Sequence, residues 1–313
     1  MQHIQLAEVT ATLPASILTL GNFDGVHRGH QLLVQEALRW GCQEALGVTV
    51  ATFDPHPARI LDPEHAPQRL MTLAQKSEAL AELGVKRLVV IEFTRELAAL
   101  TPEEFARTIL VRRLGARVVV AGSGFRFGRG RAGDIATLRS LGAALDFAVS
   151  EVTPLVEAGR PVSSTRVREA LAQGEVDSAR VLLGRSFAND GAIVRGDGRG
   201  RTLGIPTANL VPENDAVPTD GVYAAWCRLR SGTDAWGRAW PAVVNLGRRP
   251  TFAGSEHRIE AHLMGFSGDA YGAAMRIEYW RRLREERRFA GAQALRAQVE
   301  ADMHEAREAL GIA

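Results

Sequence analysis

Short apolar runs alternate with helix-patterned stretches through the first half of the chain. Ile17-Leu18-Thr19-Leu20 precedes a helical pattern over residues 29–40, and Val48 to Phe53 precedes another over Leu73 to Leu83. Arg87 to Phe93, Pro102 to Leu114 and Arg117 to Ala121 carry the alternation onward, and it persists to about Gln173. Strands joined by helices pack as a parallel sheet covered on both faces, so this half is expected to be α/β, a doubly wound parallel sheet. The texture changes around Leu183 to Asn189. From Gly191 to about Tyr279, short β-like segments are separated by Gly, Pro and Asp, as at Gly196-Asp197-Gly198 and Gly232-Thr233-Asp234. That spacing predicts a small antiparallel β-barrel. Leu283 to Leu310 is rich in alanine and charged helix formers, and it spaces Leu295, Val299, Met303 and Ala306 along one helical face. An amphipathic terminal helix packed on the barrel is expected there. The pattern divides the chain into domains at 1–183 and 184–313.

Composition supports two cores, since 313 residues at 46% hydrophobic exceed what one core usually holds. A formal net charge of +2 gives no reason to expect a nucleic-acid or anionic-membrane partner. The expected partners are small molecules, with room for a weak homo-oligomer. No uncharged apolar stretch reaches the roughly 18 residues of a membrane span, and Met1 to Leu13 carries Glu8 without a basic start before an apolar run. A soluble cytoplasmic protein is expected. Cys42 and Cys227 lie far apart and read as buried small apolar residues in a reducing compartment. Basic charge is almost all arginine; the only lysines are Lys76 and Lys86, and neither follows a G-x-x-x-x-G pattern. Phosphate must therefore be held without a P-loop, and lysine Schiff-base chemistry is set aside.

The densest cluster of unusual residues is Gly21-Asn22-Phe23-Asp24-Gly25-Val26-His27-Arg28-Gly29-His30, which follows the first apolar run and opens a helix. Unpaired N–H groups and the positive end of the helix dipole make such a turn a seat for phosphate. Gly21, Gly25 and Gly29 permit close backbone approach. His27 and His30, three apart, can face one phosphate and donate to oxygens that gain charge as pyrophosphate departs. On the residues alone, the turn also reads as an ordinary β-α connection with two surface histidines. Thr52-Phe53-Asp54-Pro55-His56-Pro57 ends the second strand, where ligands of open α/β sheets sit, and reads equally as a proline-stiffened loop. Gly122-Ser123-Gly124-Phe125-Arg126-Phe127-Gly128 offers aromatic faces and an arginine beside flexible backbone. Val162-Ser163-Ser164-Thr165-Arg166-Val167-Arg168 is, by itself, a good helix N-cap.

In the second half, Gly196, Gly198, Arg201 and Gly204 lie in a glycine-rich bend that leads into Pro206-Thr207-Ala208-Asn209. Thr207 and Asn209 are two apart, so in extended chain they share a face and present two hard neutral oxygens suited to Mg2+ held on nucleotide phosphates. A turn satisfying its own polar groups is the alternative. Glu260, between Ile259 and Ala261 on a predicted strand, could point into the barrel as a general base, or face solvent. Asp269 and Tyr271 are read as shaping a turn.

Together these motifs resemble the prokaryotic bifunctional riboflavin kinase/FAD synthetase (FMN adenylyltransferase) family, from about residue 16 to 306. The first cluster is similar to the G-x-F-D-G-x-H-x-G-H motif. The resemblance implies that Gly21, Phe23, Asp24, Gly25, His27 and His30 bind ATP for FMN adenylylation, with the two histidines catalytic. Ser163, Ser164, Thr165 and Arg168 resemble an I-S-S-T-x-x-R element holding the triphosphate. Asp54, Pro55, His56, Phe125 and Phe127 are implied at the flavin, while Gly124 departs from the family's usual Asn or Asp. The run ending Gly204-Ile205-Pro206-Thr207-Ala208-Asn209 resembles the G-x-P-T-A-N motif of riboflavin kinases. It implies ATP at Gly196, Gly198, Arg201, Gly204, Thr207 and Asn209, Mg2+ at Thr207 and Asn209, and Glu260 as catalytic base. The family's signatures over Pro218 to Tyr223, Asn245-Leu246-Gly247 and Arg281 to Phe289 follow in order. The implied reactions are riboflavin plus ATP giving FMN and ADP, then FMN plus ATP giving FAD and pyrophosphate. A chain active in one half only, or a non-catalytic flavin-binding regulator, are the alternatives.

Overall fold

The computed structural model describes residues 1–195, 204–232, 235–251, 254–287 and 289–312. The chain forms two compact units: Met1–Pro67 with Leu73–Ser163, and Gln68–Thr72 with Ser164–Ala313.

The first unit is a six-stranded parallel sheet. Its strands are β1 (Gln2–Gln5), β2 (Ser16–Leu20), β3 (Gly47–Phe53), β4 (Arg87–Ile91), β5 (Ala116–Gly122) and β6 (Ala148–Val152), in the order β1-β4-β3-β2-β5-β6. All five residues of β2 are buried, as expected of a central strand covered on both faces. Successive residues serve opposite layers. Ile17 and Val118 pack with Ala37 and Leu33 on one side, while Leu18, Leu20 and Val119 pack with Ile109, Leu110 and Leu138 on the other. Each fully buried aliphatic side chain stabilises the fold by roughly 1.5–3 kcal/mol. The helices are α1 (Arg28–Glu44), α2 (Pro57–Leu61), α3 (Leu73–Glu82), α4 (Arg95–Ala99), α5 (Pro102–Phe105) and α6 (Ile135–Leu145). A capping box between Thr101 and Glu104 starts α5, which continues into a π-helical stretch, Ala106–Arg113. Helix α1 buries Val34, Ala37 and Gly41 and stops at Ala45, whose φ of 53° is left-handed. Cys42 is one step off that stripe and exposed, contrary to the expectation of burial; Cys227 is buried. A small hairpin, β7 (Val156–Glu157) with β8 (Arg160–Pro161), closes this unit.

The second unit begins with α7 (Ser164–Gln173) and α8 (Val176–Leu183). A closed antiparallel barrel follows, made of β9 (Ala188–Val194), β10 (Ala208–Pro212), β11 (Gly221–Arg230), β12 (Trp240–Thr251), β13 (Gly254–Leu263) and β14 (Ala274–Arg284), in the order β10-β13-β12-β11-β14-β9. The texture change near residue 184 marks the first barrel strand, whereas the packing unit starts at Ser164. The reason is visible in α8, whose Arg180 guanidinium stacks 3.9 Å over the Trp280 ring of β14. A strap, Gln68–Thr72, also belongs here: Ala216 N–H donates to Arg69 O at 3.1 Å and Asn214 Nδ2 to Leu70 O at 2.9 Å.

The barrel interior holds Tyr223, Cys227, Val244, Leu246, Ile259, Ala261, Ile277 and Tyr279, all fully buried. Burial pushes the Tyr223 phenol up to about 12 and the Cys227 thiol well above its ordinary value, so neither is a reactive acid or nucleophile here. On the outer face, α9 (Ala292–Leu310) covers Val222, Ala224 and Val243 with Met303, Ala306 and Leu310. The expected helix over Leu283 to Leu310 thus starts later, because Arg284 still pairs with Val222 in the β11–β14 ladder. The Arg284 guanidinium holds the Asp302 carboxylate of α9 through two bonds, 2.8 and 2.7 Å, with Asp302 only 1% exposed. Removing one partner of such a pair strands a buried charge. Arg284→Ala is therefore expected to lower stability by roughly 3–5 kcal/mol, measured as a shift of the denaturant midpoint.

Candidate active sites

In the first unit, the loops after β2, β3 and β5 all leave the carboxyl ends of the strands. The chain fills the sheet from β2 through β3 to β4 on one side, then from β5 to β6 on the other, so the crevice between β2 and β5 is a topological switch point. The turn after β2 is tightly wound: Phe23, Gly25 and Val26 have φ of 46°, 84° and 38°. Two non-glycine residues in that region cost energy that the surrounding packing must offset. Phe23, fully buried, anchors the turn.

His27 caps α1, its Nδ1 accepting from the His30 N–H at 3.3 Å. An Nδ1 that accepts leaves the ring proton on Nε2, so His27 presents an N–H donor. The His27 and His30 rings stack at 3.7 Å and 18°, and Phe23 lies 5.0 Å from His30 on a tilted approach. Gly29 gives the ring its room: a Cβ there would come within 3.1 Å of the His27 ring and 3.4 Å of Val162 O, so the ring would have to shift by a few tenths of an ångström. Asp24 is buried in the same turn.

The Asp54-Pro55 bond is cis, and His56 caps α2 by accepting from Ala58 N–H at Nδ1, 3.2 Å. On its other side, His56 Nε2 lies 2.9 Å from the Asn22 carboxamide nitrogen, Nδ2. Lys76, on α3, is 8% exposed; Nζ donates to Asn22 O at 2.8 Å and to Thr52 Oγ1 at 3.0 Å. Nothing in the sequence singled it out for this site. Phe125 and Phe127 stack at 5.5 Å, but Phe127 is a core residue against Phe105, so Phe125 carries the more accessible face. Space around Gly124 is open: a Cβ at that position would have no neighbour within 4 Å, so a side chain there meets no steric bar.

Ser163 ends the first unit, while Ser164, Thr165 and Arg168 belong to the second. Arg168 Nε donates to Gln68 O at 2.6 Å, and both line a cavity of about 220 Å3 with Leu171, Ala216 and Thr219.

In the barrel, Gly196, Gly198 and Arg201 lie outside the described residues. Gly204 is exposed with φ of 74°. Glu260 of β13 pairs directly with Asn209 of β10 on one side and Asn245 of β12 on the other. Directly opposed residues share a face, so the three form one polar row across three strands. That face is the outer one: Ile259 and Ala261, flanking Glu260, fill the interior. The period of two thus turns Glu260 away from the barrel lumen, the outward one of the two orientations that the sequence leaves open. Arg258, two residues earlier, pairs with Glu260 Oε1 at 2.5 Å. His262, two residues later, donates from Nδ1 to Pro206 O at 2.8 Å and so fixes the residue before Thr207. Neither Asn245 nor His262 was given a role from sequence; only the strand register brings them beside the motif. Thr207 also borders a cavity of about 470 Å3 with Pro206, Leu263, Phe266, Asp269 and Tyr271. Asp269 Oδ1 accepts from Tyr271 N–H at 2.9 Å, the turn expected of this pair. Among the described residues, no three His, Cys, Asp or Glu side chains are grouped to hold a metal ion.

The histidine turn at the switch point of the parallel sheet and the Asn209–Glu260–Asn245 row on the barrel are thus the two candidate sites, one in each unit. Residues 9–166 match the FAD synthetase family and residues 183–310 the riboflavin kinase family. The bifunctional riboflavin kinase/FMN adenylyltransferase of Escherichia coli strain K12 is 40% identical over 296 residues, covering 95% of this chain and 93% of that one. That of Bacillus subtilis is 36% identical over 298 residues, covering 93% and 91%. A crystal structure described as a macrolide-efflux protein from Streptococcus pneumoniae superimposes with a TM-score of 0.88 at 30% identity, over 97% of this chain and 98% of that one. Among the described residues, no helix is long and apolar enough to cross a membrane. The chain belongs to the bifunctional riboflavin kinase/FMN adenylyltransferase family. It carries both activities, with riboflavin, FMN and ATP as substrates.

Proposed function

We propose that adenylyl transfer is carried by His27 and His30 and riboflavin phosphorylation by Glu260, each in its own half, 1–183 and 184–313, of a cytoplasmic enzyme whose partners are small molecules. In the first half, Gly21, Phe23, Asp24 and Gly25 shape the turn that receives ATP, and His27 Nε2–H donates to the phosphate oxygens. The FMN phosphate is already ionised, so it attacks the α-phosphorus without a protein nucleophile, and the bond to pyrophosphate breaks. His27 and His30 stabilise the charge that gathers on the leaving oxygens. Ser163 adjoins the triphosphate; Asp54, Pro55, His56 and Phe125, backed by Phe127, hold the flavin.

In the second half, Glu260 accepts the proton of the ribityl 5′-hydroxyl as its oxygen attacks the γ-phosphorus and ADP leaves. Thr207 and Asn209 fit Mg2+: both offer neutral hard oxygens, and an ion that keeps most of its ligands from phosphate and water needs few from protein. Thr207 and Asn209 would hold Mg2+, which would supply charge neutralisation to the ATP phosphates. The observation that supports the assignment is the register, in which Asn209 lies directly opposite Glu260, so the proposed metal ligand adjoins the proposed base. Asn209→Ala is expected to raise the Mg2+ concentration for half-maximal FMN formation about tenfold, while the Mg2+ dependence of FAD formation from FMN stays at the parental value. An unchanged Mg2+ requirement for FMN formation contradicts the assignment.

A further inference from the structure

We propose that Lys76 is a positioning residue for adenylyl transfer, locking the ATP-binding turn and the Asp54–Pro57 loop to each other; the inference rests on the site reading given above. The chain has 38 Lys and Arg residues but only two lysines, and Lys76 is 8% exposed. Burying an ammonium is costly unless specific acceptors receive it, so packing alone would be served better by an apolar side chain of the same length.

The acceptors are particular. Lys76 Nζ donates to the main-chain oxygen of Asn22, inside the phosphate turn, and to the hydroxyl of Thr52, at the end of β3. The Thr52 hydroxyl in turn donates to the same Asn22 oxygen at 3.0 Å. The three groups close a triangle that joins α3, the turn after β2 and the strand that leads into the second loop. Asn22 is then held twice, by its carbonyl on Lys76 and by its carboxamide on His56. Since His56 caps α2, Asn22 links that loop to the turn carrying His27 and His30, beside the main-chain bond from Gly21 N–H to Ala51 O. A flexible stem ending in a compact three-donor head suits this junction, where two acceptors converge on one nitrogen.

The test uses the full-length protein carrying Lys76→Met, which keeps length and apolar packing but removes the donors. With both loops released, kcat for FAD formation from FMN should fall about 100-fold, the scale of a misplaced reacting group, and the KM values for ATP and FMN should both rise. Riboflavin phosphorylation in the same preparation should stay within about twofold of the parent. A structural role alone would reduce the amount of active protein and leave both KM values unchanged, and that result overturns the proposal. So does FAD formation within about threefold of the parent. If Lys76→Met fails to fold, Thr52→Val decides: it removes one corner of the triangle, and parental kcat and KM in that variant overturn the proposal, whereas a fall in kcat with raised KM supports it. His30→Ala separates the two levels of inference. If it adenylylates normally, the site reading fails; if it is inactive while Lys76→Met is not, only the role of Lys76 fails.

Discussion

Glu260→Ala is expected to abolish FMN formation from riboflavin and ATP while FAD formation from FMN continues. The loss of a general base is worth roughly 100- to 10,000-fold, and Glu260 has the surroundings for that role. The Arg258 guanidinium fixes Oε1, so proton acceptance falls to Oε2, and the flanking Asn209 and Asn245 place neutral polar groups on either side of the carboxylate. The outer face matters here, because the barrel interior is packed with Leu246, Ile259 and Tyr223 and has no room for a ribityl chain. Glu260→Gln, which preserves shape and polarity, should be nearly as inactive, since an amide cannot take the proton. Separate assays of the two products check this, and equal loss of both would contradict separate sites.

His30→Ala should give the converse result, with FAD formation down roughly 100- to 1,000-fold, the usual effect of removing a donor to developing negative charge, and FMN formation intact. His30 is a cleaner probe than His27. Its backbone N–H, not its ring, takes part in the α1 cap, so alanine leaves the helix start in place. Removing His27 would cost the cap as well, about 1 kcal/mol, and mix a folding effect with a chemical one. Loss of kinase activity in His30→Ala would show that the two reactions are not divided as proposed.

Much of this was legible in the residues. Central strands such as β2 announce themselves because burial on both faces demands an uninterrupted apolar run, and the histidine turn follows one directly. Strand β1 did not, since Gln2–Gln5 is a short, polar, largely exposed edge that shows no buried-strand pattern. The end of β14 was likewise misread as helix: Leu283 and Arg284 have composition compatible with either state, and pairing with β11 decides it. In the sites, residues inside contiguous motifs were visible, but the facing of Glu260 was not, because a period of two gives two faces without saying which one a barrel closes over. Lys76, Asn245 and His262 acquire their places only through tertiary contacts. Lys76 reaches groups 54 and 24 residues away in sequence, and no local pattern encodes that.

The strap at Gln68–Thr72 gives the riboflavin-phosphorylating half an unusual order of assembly. Its carbonyls and the Arg69 N–H bond to Asn214, Asp215 and Ala216, across separations of 144 to 146 residues for two of the bonds. During synthesis these five residues leave the ribosome long before their partners exist, and contacts so distant in sequence form late. A fragment expressed from residue 184 onward never acquires them, leaving buried groups such as the Ala216 amide without their acceptors, at about 1–3 kcal/mol each. The second unit is thus completed by a piece of chain translated more than 90 residues before the rest of it.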